Sequence, residues 1–142
     1  MQGKDNGDGF IILKLEDGED LMDSLRGAVA QFKICSGSVI TGIGMLRDIE
    51  IGYYTGKERG YILKNLEKPH ELISLQGSIS TAGETVIHLH CGLANSNHEI
   101  VGGHLNRAKV CVLNEIVLKR LDNVVLGRNL NPATGLKELT VR

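Results

Sequence analysis

Four of the chain's five histidines lie in one segment, ETVIHLHCGLANSNHEIVGGHL, at residues 84–105. Two of them, His88 and His90, are separated by a single residue. Side chains alternate between the faces of a strand, so these imidazoles are expected to point the same way, with Cα atoms roughly 6–7 Å apart. Two imidazoles at this spacing can reach one metal ion. Leu89 and Cys91 are then expected to face the core, which makes Cys91 a poor ligand.

His104 is the best candidate for a third ligand. It follows a Gly-Gly pair, and glycines permit close backbone approaches that place it at the start of the next strand, beside His88 and His90. Three imidazoles with an open fourth position are the arrangement in which zinc binds water or a small ligand. Neutral imidazole also suits nickel, copper and iron, so the sequence leaves the ion open. The competing interpretation is that all three are ordinary surface or hydrogen-bonded side chains.

The two remaining histidines receive no metal-binding role. His98 lies in the polar stretch NSNHE and is predicted to be an exposed loop residue. His70 follows Pro69 in a predicted turn. The candidate ligands are therefore His88, His90 and His104.

The elements that must position these residues are mostly strands. Residues 1–9 are polar and Gly-rich and are expected to form a flexible leader. Asp20 is the expected N-cap of DLMDSLRGAVAQFKI, in which apolar residues recur at helical spacing. Predicted strands lie on both sides of this helix. One precedes it, FIILKL, and six follow it: SGSVITGIGML, RDIEIGYYT, GYILKNLEKPH, ELISLQGSIS, TVIHLHCGL and AKVCVLNEIVLKRL. The last of these also has helix-forming residues, but its β-branched content favours a strand. This order predicts an α+β fold with a mainly antiparallel sheet, in a single domain over residues 1–142.

Composition and charge restrict the function classes. The 142 residues are 42% hydrophobic and 23% charged, as in ordinary globular proteins. The formal net charge is −1 and no dense basic run is present, whereas non-specific DNA affinity comes from neutralised phosphates. No apolar run has the length of a membrane span, and the polar start does not match a signal peptide. The three cysteines are expected to be reduced, buried thiols, so we predict a cytoplasmic protein without membrane contact.

The histidine segment resembles the signature of the PPC (plants and prokaryotes conserved) domain, H-x-H-x-x-L-A followed by G-G-H-L. Upstream, HELISLQGSIS resembles another segment of this family, with matches at residues 71–75 and at the Gly-Ser pair that follows. His70 departs from the plant pattern, which has an aromatic residue there. Downstream, AKVCVLNEIVL resembles the strand after the signature, including its glutamate at Glu115. The resemblance extends from about Phe10 to about Leu126.

The resemblance implies an α+β, PPC-domain-like fold with one principal helix packed across the sheet, assembled as a homotrimer. It also implies that His88, His90 and His104 bind an ion, commonly zinc, as in prokaryotic members. In plant members the domain follows an AT-hook with an Arg-Gly-Arg-Pro core, but this chain contains no Arg-Gly-Arg. In plant relatives the segment matched by Glu71–Leu75 contacts protein partners; here it is equally well interpreted as a core strand.

The sequence therefore favours a homotrimeric zinc-binding module with a binding or regulatory role and no assigned catalytic residue. The alternative is a zinc-dependent, hydrolase-like enzyme in which the open position activates water and Glu99 or Glu115 is the base. Direct DNA binding is a third hypothesis, and it requires dispersed basic residues to share one face of a trimer. Those residues are Arg26, Lys33, Arg47, Lys57 and Arg59.

Overall fold

Nine strands and one helix make up the structure, a computed structural model that describes residues 1–142. In chain order the elements are β1 (Gln2–Asp5), β2 (Phe10–Glu16), α1 (Leu21–Gln31), β3 (Ser36–Tyr54), β4 (Tyr61–Leu66), β5 (His70–Ser80), β6 (Val86–Ala94), β7 (Ile100–Arg120), β8 (Leu126–Leu130) and β9 (Lys137–Val141). The order of one early helix followed by many strands agrees with the α+β prediction.

All of the strand pairs are antiparallel. Seven strands form one sheet in the order β1-β2-β7-β6-β5-β3-β4, and β7 pairs with β3 as well. Strands β3, β5, β6 and β7 therefore form a closed ring of pairs, while β8 and β9 form a separate hairpin. The predicted mainly antiparallel sheet with one helix is confirmed.

Helix α1 begins where the sequence predicted. The side chain of Asp20 accepts a hydrogen bond from the backbone N–H of Asp23 at 3.0 Å, which satisfies one of the free donors of the first turn. The apolar face of the helix, including Leu21, Leu25 and Ala28, is fully buried. This face packs against β6 and β7, so the helix covers the strands that carry the histidine segment.

Strand β3 is longer than the sequence indicated. SGSVITGIGML and RDIEIGYYT were predicted as separate strands, but they form one strand of 19 residues. Its register with β7 shifts at four places, including between Gly44 and Leu46 and between Arg47 and Glu50. These irregularities bend the strand without ending it, because a β-bulge absorbs extra residues while pairing continues on either side.

The expectation of a flexible leader over residues 1–9 is not met, because this segment contains β1. Gln2–Asp5 pair with residues 11–14 of β2 at the edge of the sheet. The amino group of Met1 also contacts Glu19 Oε1 at 2.5 Å. Backbone pairing at an edge does not require apolar side chains, so a polar, Gly-rich composition gave no sign of it.

A single cluster of buried apolar residues forms the core, with Leu13, Leu75 and Leu89 fully inaccessible to solvent. The three cysteines are free, as expected, and Cys91 is buried. The expectation that all three are buried is wrong for Cys35, which is exposed just before β3, and Cys111 is only partly buried. No helix has the length and apolarity needed to cross a membrane.

Candidate metal centre

His88 and His90 lie on β6, as predicted, and their side chains share one face. The register with β5 places His88 opposite Ser78 and His90 opposite Gln76. Leu89, between them, is fully buried on the opposite face. The alternation expected from the H-x-H spacing is therefore observed, with the apolar neighbour in the core and the imidazoles outside it.

His104 lies on β7 and is paired on both sides. It stands opposite His90 of β6 and opposite Gly52 of β3. A Cβ atom at Gly102 would be 2.4 Å from the carbonyl oxygen of Cys91, and one at Gly103 would be 2.7 Å from that of Gly52. The Gly-Gly pair thus allows three backbones to approach closely, and this approach brings His104 beside the histidines of β6.

The three imidazoles form a compact group. Ring centroids are separated by 5.1 Å for His88 and His90, 4.9 Å for His88 and His104, and 5.6 Å for His90 and His104. Their potential ligand atoms all lie within 4.8 Å of one another. Nitrogens bound to one tetrahedral zinc ion are separated by roughly 3.3 Å, so small side-chain rotations suffice to bring all three onto a common ion.

The surroundings of His88 and His104 keep both rings neutral, which is the form that binds metal ions. Burial, followed by the neighbouring charges of His104, His90 and Arg128, lowers the pKa of His88 from 6.5 to about 4. Burial and the neighbouring His90 lower the pKa of His104 as well. At neutral pH both rings therefore hold a free nitrogen lone pair, which is the requirement for coordination.

The hydrogen-bonding pattern also fits a metal. His104 Nδ1 is buried and has no hydrogen-bond partner within the protein. A buried polar atom without a partner is costly, and a bound ion or an ordered ligand would remove that cost. Cys91 does not join the group, because it faces the core and burial raises the pKa of its thiol to about 11.

The candidate catalytic glutamates are not brought to the histidines. Glu115 lies eleven residues beyond His104 on β7, where the strand has left β6 and pairs Glu115 with Lys14 of β2 and Ile43 of β3. Glu99 lies in the loop before β7, where its carboxylate accepts a hydrogen bond from Asn95 at 2.8 Å. The group of potential ligands contains histidines alone.

The other two histidines are separate from the site. His98 is exposed in its loop, as predicted, with a φ of 63°. His70 is 8% exposed at the start of β5, and its Nδ1 lies 2.8 Å from the carbonyl oxygen of Lys68. The turn position assigned to His70 is therefore corrected to the first residue of a strand.

The sequence did not identify two residues beside the site. The ring of Tyr61, on β4, lies 5.1 Å from that of His104. Arg128, on β8, donates a hydrogen bond from Nη2 to Ser78 Oγ at 2.6 Å. Both residues line a pocket of about 470 Å³ together with His88 and His104. The one sequence feature that indicated Tyr61 was Gly52, because a glycine inside a strand indicates that a neighbouring group approaches closely, and Tyr61 is that neighbour. No sequence pattern indicated Arg128.

The comparisons with known proteins agree on one family. The model of the Plants and Prokaryotes Conserved (PCC) domain matches residues 2–122. The fold is similar to a plant- and prokaryote-conserved (PPC) protein from Pyrococcus horikoshii, at 29% identity and a TM-score of 0.82, covering 91% of this chain and 90% of that chain. It is also similar to a metal-containing protein from Archaeoglobus fulgidus, at 29% identity and a TM-score of 0.81, covering 92% of each chain.

A third structure, from Bacteroides thetaiotaomicron, has a name that proposes DNA binding. It has a TM-score of 0.90 and covers 98% of this chain and 96% of that chain, but its 24% identity makes this a likeness of fold alone. None of the curated proteins matches the chain. The matched residues 2–122 include the three histidines and every strand of the large sheet. The chain therefore belongs to the Plants and Prokaryotes Conserved domain family, the PPC family that its histidine signature resembles.

Proposed function

We propose that this chain is a metal-binding module in which His88, His90 and His104 together bind one divalent transition metal. The observation that carries this proposal is the convergence of three imidazoles from two strands, with all potential ligand atoms within 4.8 Å. The similarity to a metal-containing protein from Archaeoglobus fulgidus supports it. Zinc is the ion proposed first, because three neutral imidazoles with an open fourth position form a common zinc site.

Four neighbouring strands contribute to this proposed site. Strand β6 presents His88 and His90 on one face, and the backbone of β7 is held between β6 and β3 so that His104 meets them. The ring of Tyr61, on β4, lies beside that of His104, with 5.1 Å between the ring centroids. The bound ion would supply a Lewis-acidic centre with a position open to an additional ligand.

Elemental analysis of untagged protein tests the metal-binding proposal. We expect near-stoichiometric zinc in the wild type after zinc is supplied and dialysed away, and its loss in His88→Ala and in His104→Ala. The matched control is His98→Asn, which changes an exposed loop histidine and keeps a residue that tolerates its positive φ. Wild-type protein that retains no metal, or ligand variants that retain as much as the control, would contradict the proposal.

We further propose that the protein is a homotrimer, as the family resemblance implies. The outer face of the sheet supports this, because the register places Ile12, Val117 and Thr41 side by side there. Ile12 is 55% exposed and nearby Ile43 is 50% exposed, so this face presents apolar side chains to solvent. Light scattering is expected to give three times the 15.4 kDa mass of one chain. A monomeric mass at working concentration would overturn this proposal.

A binding or regulatory role through a protein partner is proposed for the start of β5. Within the segment from Glu71 to Leu75, Leu72 and Leu75 belong to the core, whereas Glu71 and Ile73 are exposed. Any partner contact therefore falls on Glu71 and Ile73. Double substitution of these two residues is expected to abolish partner capture by the folded trimer without changing its metal content.

Direct DNA binding is the weaker proposal. It draws on the name of the Bacteroides thetaiotaomicron structure. Two of the basic residues that it requires are neutralised within the chain, since Arg26 pairs with Asp23 at 2.7 Å and Arg47 pairs with Asp17 at 2.6 Å. Binding to unrelated duplexes that falls steeply with salt would establish it.

A zinc-dependent, hydrolase-like enzyme is the alternative function. The pocket of about 470 Å³ beside His88 and His104 favours it, since this volume suits a small molecule. The open metal position would activate water, but the glutamates first considered as bases lie elsewhere. A turnover that disappears in His88→Ala would establish the enzyme, and no turnover across a broad hydrolase panel would count against it. For either function we propose the cytoplasm as the compartment, which the three free cysteines support.

A further inference from the structure

The pocket beside the histidines is built from two separate parts of the chain. One wall comes from the large sheet and includes His88, His104 and Tyr61. The facing wall comes from the β8–β9 hairpin and includes Arg128, Leu136 and Leu139. A ligand held in this pocket therefore contacts the hairpin on one side and His88 and His104 on the other.

Arg128 is a cation in this pocket without a carboxylate partner. Its Nη2 donates to the neutral hydroxyl of Ser78, its Nη1 makes a long contact of 3.4 Å with the carbonyl oxygen of Lys137, and its Nε has no partner. No acidic side chain forms an ion pair with it, whereas Lys137 pairs with Glu84. A partly buried guanidinium with remaining donors is suited to bind an anion, and carboxylates match its geometry.

The acidic residue that lines the same pocket is engaged elsewhere. Glu138 Oε1 accepts hydrogen bonds from Asn131 Nδ2 and Thr134 Oγ1, both at 2.9 Å, within the turn of the hairpin. These contacts hold the Glu138 carboxylate in the turn and lower its pKa. The positive charge of Arg128 is therefore not compensated from within its own hairpin.

The rest of the pocket is largely apolar. Ile87 on the sheet and Leu136 and Leu139 on the hairpin contribute side chains to it, and Tyr61 adds an aromatic ring. A phosphate group would leave these apolar surfaces unused, and Arg128 is the one side-chain cation in the pocket without a carboxylate partner. A monoanion with an apolar body uses both the guanidinium and the apolar wall.

We infer that this pocket binds a small organic carboxylate, whose charged group contacts Arg128 beside the three histidines and whose apolar part lies against Ile87, Leu136 and Leu139. The inference rests on the proposed metal site for a second contact, since an ion held by three neutral imidazoles has a position open to the same carboxylate. Ser78 acts as a positioning residue, because its hydroxyl accepts a hydrogen bond from the Arg128 guanidinium and Ser78 lies opposite His88 in the pairing of β5 with β6.

Calorimetric titration with butyrate, and with butyramide as its neutral isostere, tests the inference on zinc-loaded protein. We expect butyrate to bind and butyramide to bind at least about 10-fold more weakly, because a hydrogen bond between charged groups is replaced. Arg128→Gln is expected to weaken butyrate roughly 10-fold or more, and Arg128→Lys to recover part of the loss. The matched control is Arg59→Gln, which removes an exposed arginine outside the pocket and is expected to leave affinity unchanged.

A second variant keeps the test informative if Arg128→Gln folds poorly. Leu139 is 43% exposed, so Leu139→Glu changes the pocket without emptying the core, and its added charge is expected to repel butyrate. Equal binding of butyrate and butyramide, or wild-type affinity in both Arg128→Gln and Leu139→Glu, would overturn the inference. Tighter binding of inorganic phosphate than of butyrate would also overturn it, because the ligand class would be wrong.

The metal content of the same samples separates this inference from the proposed function. Elemental analysis reports whether zinc is bound, and chelated protein is titrated in parallel. Zinc without Arg128-dependent butyrate binding overturns the inference and leaves the metal site intact. Butyrate binding that depends on Arg128, in protein that retains no zinc after zinc has been supplied, supports the pocket and refutes the proposed metal site.

Discussion

The close approach of β6 and β7 at Gly102 predicts that a side chain added at this position destabilises the protein. Gly102→Ala adds a Cβ atom 2.4 Å from the carbonyl oxygen of Cys91, whereas ordinary contacts begin at 3.4 Å. The two strands must therefore separate by about 1 Å at this position. The obstructing atom belongs to the backbone, so no side-chain rotation relieves the clash.

The cost of Gly102→Ala is expected to be about 1–3 kcal/mol, as for other overpacked positions. For a domain of this size, that corresponds to a melting temperature lowered by roughly 3–9 °C. His104 follows two residues later opposite His90, so the same displacement disturbs the ligand geometry. We therefore also expect zinc affinity to fall by roughly 10-fold or more, as when the surroundings of metal ligands are altered.

Gly27→Ala provides the matched control for Gly102→Ala. Gly27 lies on the exposed side of α1, and a Cβ atom there would meet nothing within 4 Å. Because alanine favours the helix, this substitution is expected to stabilise the protein by about 0.5–1 kcal/mol and to leave zinc binding unchanged. Calorimetry of both variants gives the stabilities, and competition with a chromophoric chelator gives the affinities. A Gly102→Ala protein as stable as wild type, with unchanged zinc affinity, would refute the reasoning.

Three further predictions concern the metal, the pH and the helix. Removing zinc with a chelator is expected to lower the free energy of unfolding by about 2.7 kcal/mol when the comparison sample contains zinc at 100 times its Kd; an unchanged melting temperature would contradict stabilisation by the ion. In metal-free protein, the unfolded chain takes up a proton at His88 near pH 6.5 but the folded chain only near pH 4, so stability falls as pH decreases through this window. Because the ring of His88 is only partly buried, solvent screening reduces the expected loss to about 1–2 kcal/mol, and the loss should shrink in His88→Ala. Asp20→Ala removes the hydrogen bond to the Asp23 amide and is expected to cost about 1 kcal/mol without altering metal content; thermal melts that match wild type would show that the cap contributes nothing.

Local patterns were sufficient to predict much of this fold. The N-cap at Asp20, the helical spacing after it and the alternation around His88 and His90 all depend on residues a few positions apart. The Gly-Gly pair before His104 correctly indicated close approach, and the structure identifies the carbonyl oxygens of Cys91 and Gly52 as the atoms approached. Such short-range signals are independent of which strand pairs with which.

Long-range pairing was the part that the sequence could not supply. Glu115 was predicted as a candidate base, but β7 pairs with β6, the strand of His88 and His90, only from residue 100 to residue 104. A strand of 21 residues has different neighbours along its length, so Glu115 lies beside β2 and β3. For the same reason the sequence did not identify Arg128, which reaches the site only because its hairpin folds back beside Ser78. Neither fact has a local signature.

The β8–β9 hairpin lies beyond residues 2–122, which the family model matches, yet it forms one wall of the pocket beside the histidines. The three histidines and the facing wall therefore come from separate segments of the chain. A protein built in this way can exchange the hairpin to suit a new small molecule while the imidazoles remain where the sheet holds them. If the pocket binds a carboxylate as inferred, we expect chimaeras that replace only this hairpin to change which small molecule binds without changing the metal content.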